Sequence, residues 1–257
     1  MKLFFRQTGE TGPAMIILHG VFGSADNWLT VGKVLGERFR VFLLDQRNHG
    51  RSPRSDAFGY VEMAADVMEF ITDQGLENPV IIGHSMGGKT AMQFAMSYPD
   101  AWSKLVVVDI APRFYPIHHA RILAGLNALD LGKLTSRQAA ELHLRDYEDH
   151  EGTRQFLLKN LYRNPDTNRF DWRLNLPVIT RDIHLVGSEL TNPRVTTKPV
   201  LFLRGEESSY VLPEDEADVR RIFPNAQIET IAGAGHWVHA EQPEAFVGAV
   251  MKFVNHA

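Results

Sequence analysis

The chain has 257 residues, 44% hydrophobic and 23% charged, with a formal net charge of −4. This composition suits a globular protein with enough apolar material for one large core, and its acidic balance argues against a nucleic-acid binder held by bulk electrostatics. With no cysteine in the chain, disulfides, cysteine–zinc centres, iron–sulfur clusters and a cysteine nucleophile are excluded.

Met1-Lys2-Leu3-Phe4-Phe5-Arg6 interrupts its apolar residues too early to form a signal-peptide core. No later stretch approaches the ~20 apolar residues of a membrane-spanning helix. A soluble cytoplasmic protein with neither membrane nor nucleic-acid partners is the expectation. Short apolar runs then recur at 15–18, 41–44, 80–82, 105–108 and 200–203, each ending in small or polar residues. Runs rich in Val, Ile and Leu predict strands buried on both faces of a parallel sheet. Segments 61–73, 87–97 and 214–223 have helical composition and spacing. Strand–helix alternation predicts a doubly wound, mostly parallel α/β sheet, whose ligands bind beyond the carboxyl ends of the strands.

Residues 113–186 break the alternation. Segments 122–129, 136–144 and 154–161 read as helices separated by polar turns such as Asn164-Pro165-Asp166, with no clear buried strand. The expected arrangement is a core of residues 1–112 and 187–257 carrying a helical lid of residues 113–186. An independent helical domain is the alternative.

The strongest chemical signal is Gly83-His84-Ser85-Met86-Gly87, between a predicted strand and a predicted helix. A serine exposed at so sharp a turn needs small neighbours, because the flanking backbone segments approach closely. The helix N-terminus behind it offers N–H groups and a positive dipole end to a developing oxyanion. A Gly-rich turn with an inert serine is the plain alternative.

Ser85 requires a base. Among 11 histidines, His236 follows the apolar segment 228–232 in Gly233-Ala234-Gly235-His236-Trp237, a loop able to reach the active edge of the sheet. His239 reads as a structural hydrogen-bonder, and His118, His119, His143 and His150 read as lid surface. No metal-binding pattern such as HExxH occurs, so a metal site has little support. For the acid that orients the imidazole, Asp109 directly follows four aliphatic residues, where a carboxylate is costly without partners. It could also simply cap a turn; Glu207 is the second choice, ahead of Glu206 and Asp215. Met86 N–H is one oxyanion donor, and either Val21 or Phe22 in His19-Gly20-Val21-Phe22-Gly23-Ser24 is the other. Phe22, Phe114, Trp172 and Trp237 flank the predicted site as candidate substrate contacts or as packing.

These residues resemble the α/β-hydrolase superfamily, through the His19-Gly20 loop, Asp45-Gln46-Arg47-Asn48-His49-Gly50-Arg51-Ser52, the serine turn and Gly235-His236. Segments 44–53, 83–89, 108–112, 170–178 and 232–241 are similar more narrowly to YbfF-type esterases and their mitochondrial relatives. In that family the acid follows the sixth strand, which maps onto Asp109. Ser208 stands where many superfamily members have aspartate, a departure that points the same way. The resemblance implies a small helical cap and carboxylester hydrolysis by a serine nucleophile through an acyl-enzyme, on short- to medium-chain esters and without a cofactor. Thioester hydrolysis, acyl transfer, perhydrolysis and carbon–carbon cleavage share the triad. Dehalogenase and epoxide hydrolase chemistry is disfavoured, since relatives doing it have aspartate at Ser85. A ligand-binding module that keeps the triad is the non-enzymatic alternative. Monomer and homodimer stay equally open.

Overall fold

The computed structural model describes residues 1–255. Seven strands form the main sheet: β1 (Phe5–Thr8), β2 (Ala14–Leu18), β3 (Arg40–Leu44), β4 (Val80–His84), β5 (Leu105–Val108), β8 (Val200–Gly205) and β9 (Gln227–Ile231), in the spatial order β1-β3-β2-β4-β5-β8-β9. Only the edge strand β1 runs antiparallel, with Phe5 opposite Leu44 and Thr8 opposite Val41. The other pairs are parallel, as the continuous apolar runs predict.

Alternate residues of one strand feed opposite cores. Ala14, Ile16 and Leu18 of β2 join Ile81, Leu105 and Val107 beneath helices α2 (Tyr60–Asp73) and α3 (Met86–Ser97). Met15 and Ile17 face the other way, with Ile82, Val106 and Val108, under α1 (Leu29–Leu35) and α10 (Pro243–Asn255). Each fully buried aliphatic side chain stabilises the layer by roughly 1.5–3 kcal/mol. The short helix α8 (Glu216–Ile222) joins the first layer through Val219 and Ile222, and α9 (Val238–Glu241) leads into α10.

Between β5 and β8 lie α4 (Ala120–Ala128), α5 (Arg137–Leu144), α6 (Glu151–Leu158) and α7 (Leu176–Val186). The segment is not all-helical: β6 (Leu161–Arg163) and β7 (Phe170–Trp172) form an antiparallel hairpin. Its connection is the polar turn noted above, where Asn164 Oδ1 accepts the N–H groups of Asp166 at 2.9 Å and Thr167 at 3.2 Å. Three-residue strands are too short for periodicity to reveal. The insertion does not pack on itself alone. Leu123, Leu126, Leu144, Leu157 and Ile179 share one buried cluster with Phe22, Phe58, Met63 and Met86 from the sheet-bearing part. The insertion leaves the sheet after β5, the fifth strand of this chain. No helix among the described residues is long and apolar enough to cross a membrane.

Candidate active site

Ser85 sits between β4 and α3 at φ 54° and ψ −119°, a region a non-glycine residue seldom occupies. The sequence permits this because the residues two positions away on either side, Gly83 and Gly87, lack side chains. A Cβ on Gly83 would lie 2.1 Å from Gly87 O, and one on Gly87 would lie 2.3 Å from Leu18 O. The turn is anchored by Ser85 N–H to Val108 O at 3.0 Å and by Lys89 N–H to Ser85 O at 3.1 Å. Met86, the first residue of α3, presents one of the N–H groups that have no partner inside the helix.

Asp109 follows β5 and is fully buried. Its positive φ of 50° turns the carboxylate beneath the loop after β9. Oδ1 accepts Gly205 N–H at 3.1 Å. Oδ2 lies 2.7 Å from His236 Nδ1 and also accepts the Ser208 hydroxyl. These partners answer the cost of burying a carboxylate after four aliphatic residues. The competing acids are engaged elsewhere: Glu206 accepts Gly233 N–H at 2.9 Å, Asp215 pairs with Arg113 at 2.7 Å, and Glu207 is exposed.

The loop holding His236 is fixed at several points. Gly233 takes φ 63°, Gly235 N–H donates to the Glu241 carboxylate, and His84 Nε2–H donates to His236 O at 2.8 Å. The imidazole stacks on the Tyr210 ring, with centroids 3.9 Å apart and planes 18° from parallel. Since Nδ1 faces Asp109, Nε2 is the ring nitrogen left for other work. Ser85 and His236 line one cavity of about 260 Å³.

Two buried histidines hold the loop of residues 19–23 that lines the cavity beside Ser85. His19 Nδ1–H donates to Gly20 O at 2.8 Å and its Nε2 accepts Gln46 N–H at 3.0 Å. His49 Nδ1–H donates to Arg47 O at 2.9 Å and its Nε2 accepts Phe22 N–H at 3.3 Å. Burial lowers their pKa values to about 4 and about 3, so both stay neutral and keep these donor and acceptor roles. The Phe22 N–H is therefore occupied, and Gly23 N–H turns back to Gly20 O at 3.0 Å. Val21 N–H donates to no protein acceptor among the described residues. The sequence alone does not separate Val21 from Phe22, because the His49 contact spans 27 positions.

The candidate substrate contacts divide. Phe22 and Trp237 line the cavity; Phe114 and Trp172 do not. Phe114 points outward and is 54% exposed, because its neighbours turn inward: Arg113 pairs with Asp215, and the Tyr115 hydroxyl accepts Ala111 N–H at 2.8 Å. Trp172 is buried in the hairpin's apolar cluster, and its carbonyl accepts Arg54 at 2.8 Å. Ile122, Phe156 and Leu157 of the insertion line the cavity instead, with His118, His119 and Tyr210. His118 and His119 are thus not mere lid surface; His118 Nε2 meets the Tyr210 hydroxyl at 2.6 Å. His239 stacks on Trp28 with centroids 3.7 Å apart. His143 bonds Gly125 O at 3.0 Å within the insertion. No group of three or more metal-ligating side chains occurs among the described residues.

A family profile for the α/β hydrolase fold matches residues 13–243. The chain is 38% identical over 252 residues to the sn-1-specific diacylglycerol lipase ABHD11 of Mus musculus, covering 95% of this chain and 81% of that protein. It is 36% identical over 261 residues to the esterase YbfF of Escherichia coli, covering 99% and 100% of the two. A solved marine microorganism esterase superposes with a TM-score of 0.95 at 44% identity, covering 98% of this chain and 99% of that one. The parallel sheet, the serine turn and these full-length likenesses agree: the chain belongs to the α/β-hydrolase family.

Proposed function

We propose that this protein is a serine carboxylesterase acting through an acyl-enzyme on short- to medium-chain esters, with residues 113–186 as a cap over a core of 1–112 and 187–257. The observation that carries the reading is the buried Asp109 carboxylate 2.7 Å from His236 Nδ1, with His236 and Ser85 lining one cavity. Ser85 Oγ attacks the ester carbonyl carbon, and its proton passes to His236 Nε2. Asp109 stabilises the resulting imidazolium and holds its tautomer. The N–H groups of Met86 and Val21 receive the oxyanion, each donor contributing about 3–4 kcal/mol to the transition state. Collapse expels the alcohol with a proton from His236, and water repeats the sequence on the acyl-enzyme. No step calls on a cofactor.

At about 260 Å³, the cavity falls below the ~300–1,000 Å³ of drug-sized sites, which favours a short or medium acyl group. The test is turnover of p-nitrophenyl esters from two to twelve acyl carbons, with mass analysis after a fluorophosphonate probe. Turnover peaking at short or medium chains and a single adduct on Ser85 support the reading. No turnover of any ester by the folded protein, or an adduct elsewhere, overturns it and directs the search to thioesters.

Ser208 supplies a second check, because its hydroxyl shares Asp109 Oδ2 with His236. Hydrogen bonds to charged groups contribute about 1.5–3 kcal/mol. Ser208→Ala should therefore lower kcat by about tenfold. A folded variant with unchanged kcat would show that Ser208 plays no part.

A further inference from the structure

Lys89 lies one helical turn beyond Ser85 on α3, and its side chain is fully buried. The reaction just described gives it no task. Its three hydrogen-bond acceptors are all backbone carbonyls: Arg113 O at 2.7 Å, Gly187 O at 3.3 Å and Ser188 O at 2.5 Å. The first stands where the chain leaves the sheet for the insertion, and the other two where it returns. The two connecting segments also touch each other. Tyr115 N–H donates to Gly187 O at 2.8 Å, and a Cβ on Gly187 would lie 2.1 Å from Tyr115 O. Around the ammonium stand the rings of Tyr115, 4.8 Å from Nζ, and Tyr60, 5.9 Å away. The Tyr60 hydroxyl in turn holds Val186 O at 2.5 Å.

An ammonium has three donors, and here all three reach across the two ends of one insertion. Burial, with the nearby Arg113 charge, pulls the Lys89 pKa down to about 7, so the site works against the charge it contains. A buried cation is a poor device for stability alone, since apolar replacements often serve as well or better. Its advantage here is directional: it ties two separate chain segments to one point on the helix that begins at the nucleophile.

We propose that Lys89 is a positioning residue for ester hydrolysis, clasping both ends of the insertion to α3 and so setting the acyl-chain wall relative to Ser85. This rests on the esterase reading. That wall is built from Ile122 on α4 and Phe156 and Leu157 on α6, while Gly20, Val21 and Trp28 bound the core side of the cavity. A two-carbon acyl group at Ser85 is enclosed by the core side; an eight-carbon one needs the insertion held at its proper height.

Lys89→Met preserves side-chain length and removes all three donors. Its ratio of kcat/KM for p-nitrophenyl octanoate over acetate should fall about tenfold, through KM rather than kcat. The Tyr115 amide, which bridges the two segments, should exchange its hydrogen about tenfold faster. Lys89→Arg, which restores charge and donors, should recover part of the ratio. If Lys89→Met does not fold, Lys89→Gln, with two donors, should show the same changes at intermediate size. An unchanged Tyr115 exchange rate, or equal losses on the two esters, overturns the proposal. If wild type turns over neither ester, the esterase reading fails, while unaltered Tyr115 exchange in the variant would still count separately against the clasp.

Discussion

On the proposed mechanism, replacing Ser85 with alanine should lower kcat by a factor on the order of 10⁶ and leave the fold intact. The size of the loss follows from the way the three groups act as a unit. If the proposed roles hold, then without Oγ His236 has no proton to accept, Asp109 has no imidazolium to stabilise, and the Met86 and Val21 N–H groups face no tetrahedral oxyanion. What remains is binding and polarisation of the ester, which other serine hydrolases turn into roughly 10³–10⁴ over the reaction in water. The fold is spared because Ser85 Oγ makes no hydrogen bond to protein among the described residues, so its removal orphans no partner. Alanine keeps the Cβ in the same left-handed turn, so the backbone strain is unchanged. Two measurements check this: kcat on a p-nitrophenyl ester of pure variant, and its thermal unfolding beside wild type. A folded variant keeping more than about a hundredth of wild-type kcat would remove Ser85 from the mechanism.

What could be read from residues alone followed the range of the interactions. The central strands were legible because each holds three to five consecutive buried apolar residues, a local property. The edge strand β1, Phe-Arg-Gln-Thr, carries no such run and is only partly buried, so its pairing with β3 passes unseen. Asp109 was legible by its discomfort, a carboxylate at the end of an aliphatic strand, and the contact with His236 supplies its relief. By contrast, nothing local separates Val21 from Phe22, since the deciding acceptor is His49. Trp172 looked like a site residue by type and position, yet it packs in the insertion's apolar cluster. Nothing in the sequence singles out Lys89: α3 is covered on all sides, and only the assembled fold brings carbonyls to its ammonium.

Acid should unfold this protein well above the carboxylate range, because four histidines are buried in neutral form. Desolvation comes first for each: it lowers His19 to about 4 and His49 and His239 to about 3, and His84 lies well below its ordinary value, with His236 and His239 adding repulsion. The unfolded chain titrates near 6.5. Between pH 6.5 and about 4 it therefore binds protons that the folded chain refuses, so stability present above pH 6.5 is lost as pH falls. From pH 7 to 5 each group removes about 2 kcal/mol, so four together approach the ~5–15 kcal/mol total of a typical domain. The raised pKa of buried Asp45 acts in the opposite sense, but one carboxylate titrating above 3.8 offsets only part of four imidazoles. The expected result is a urea midpoint that drops steeply between pH 7 and 5, with less of a drop in a His239→Gln variant that still folds. A midpoint flat over that interval would mean that the buried imidazoles take up protons in the folded state. In that case the hydrogen bonds from Gln46 N–H to His19 and from Phe22 N–H to His49 could not persist, and the loop of residues 19–23 beside Ser85 would be held by something else.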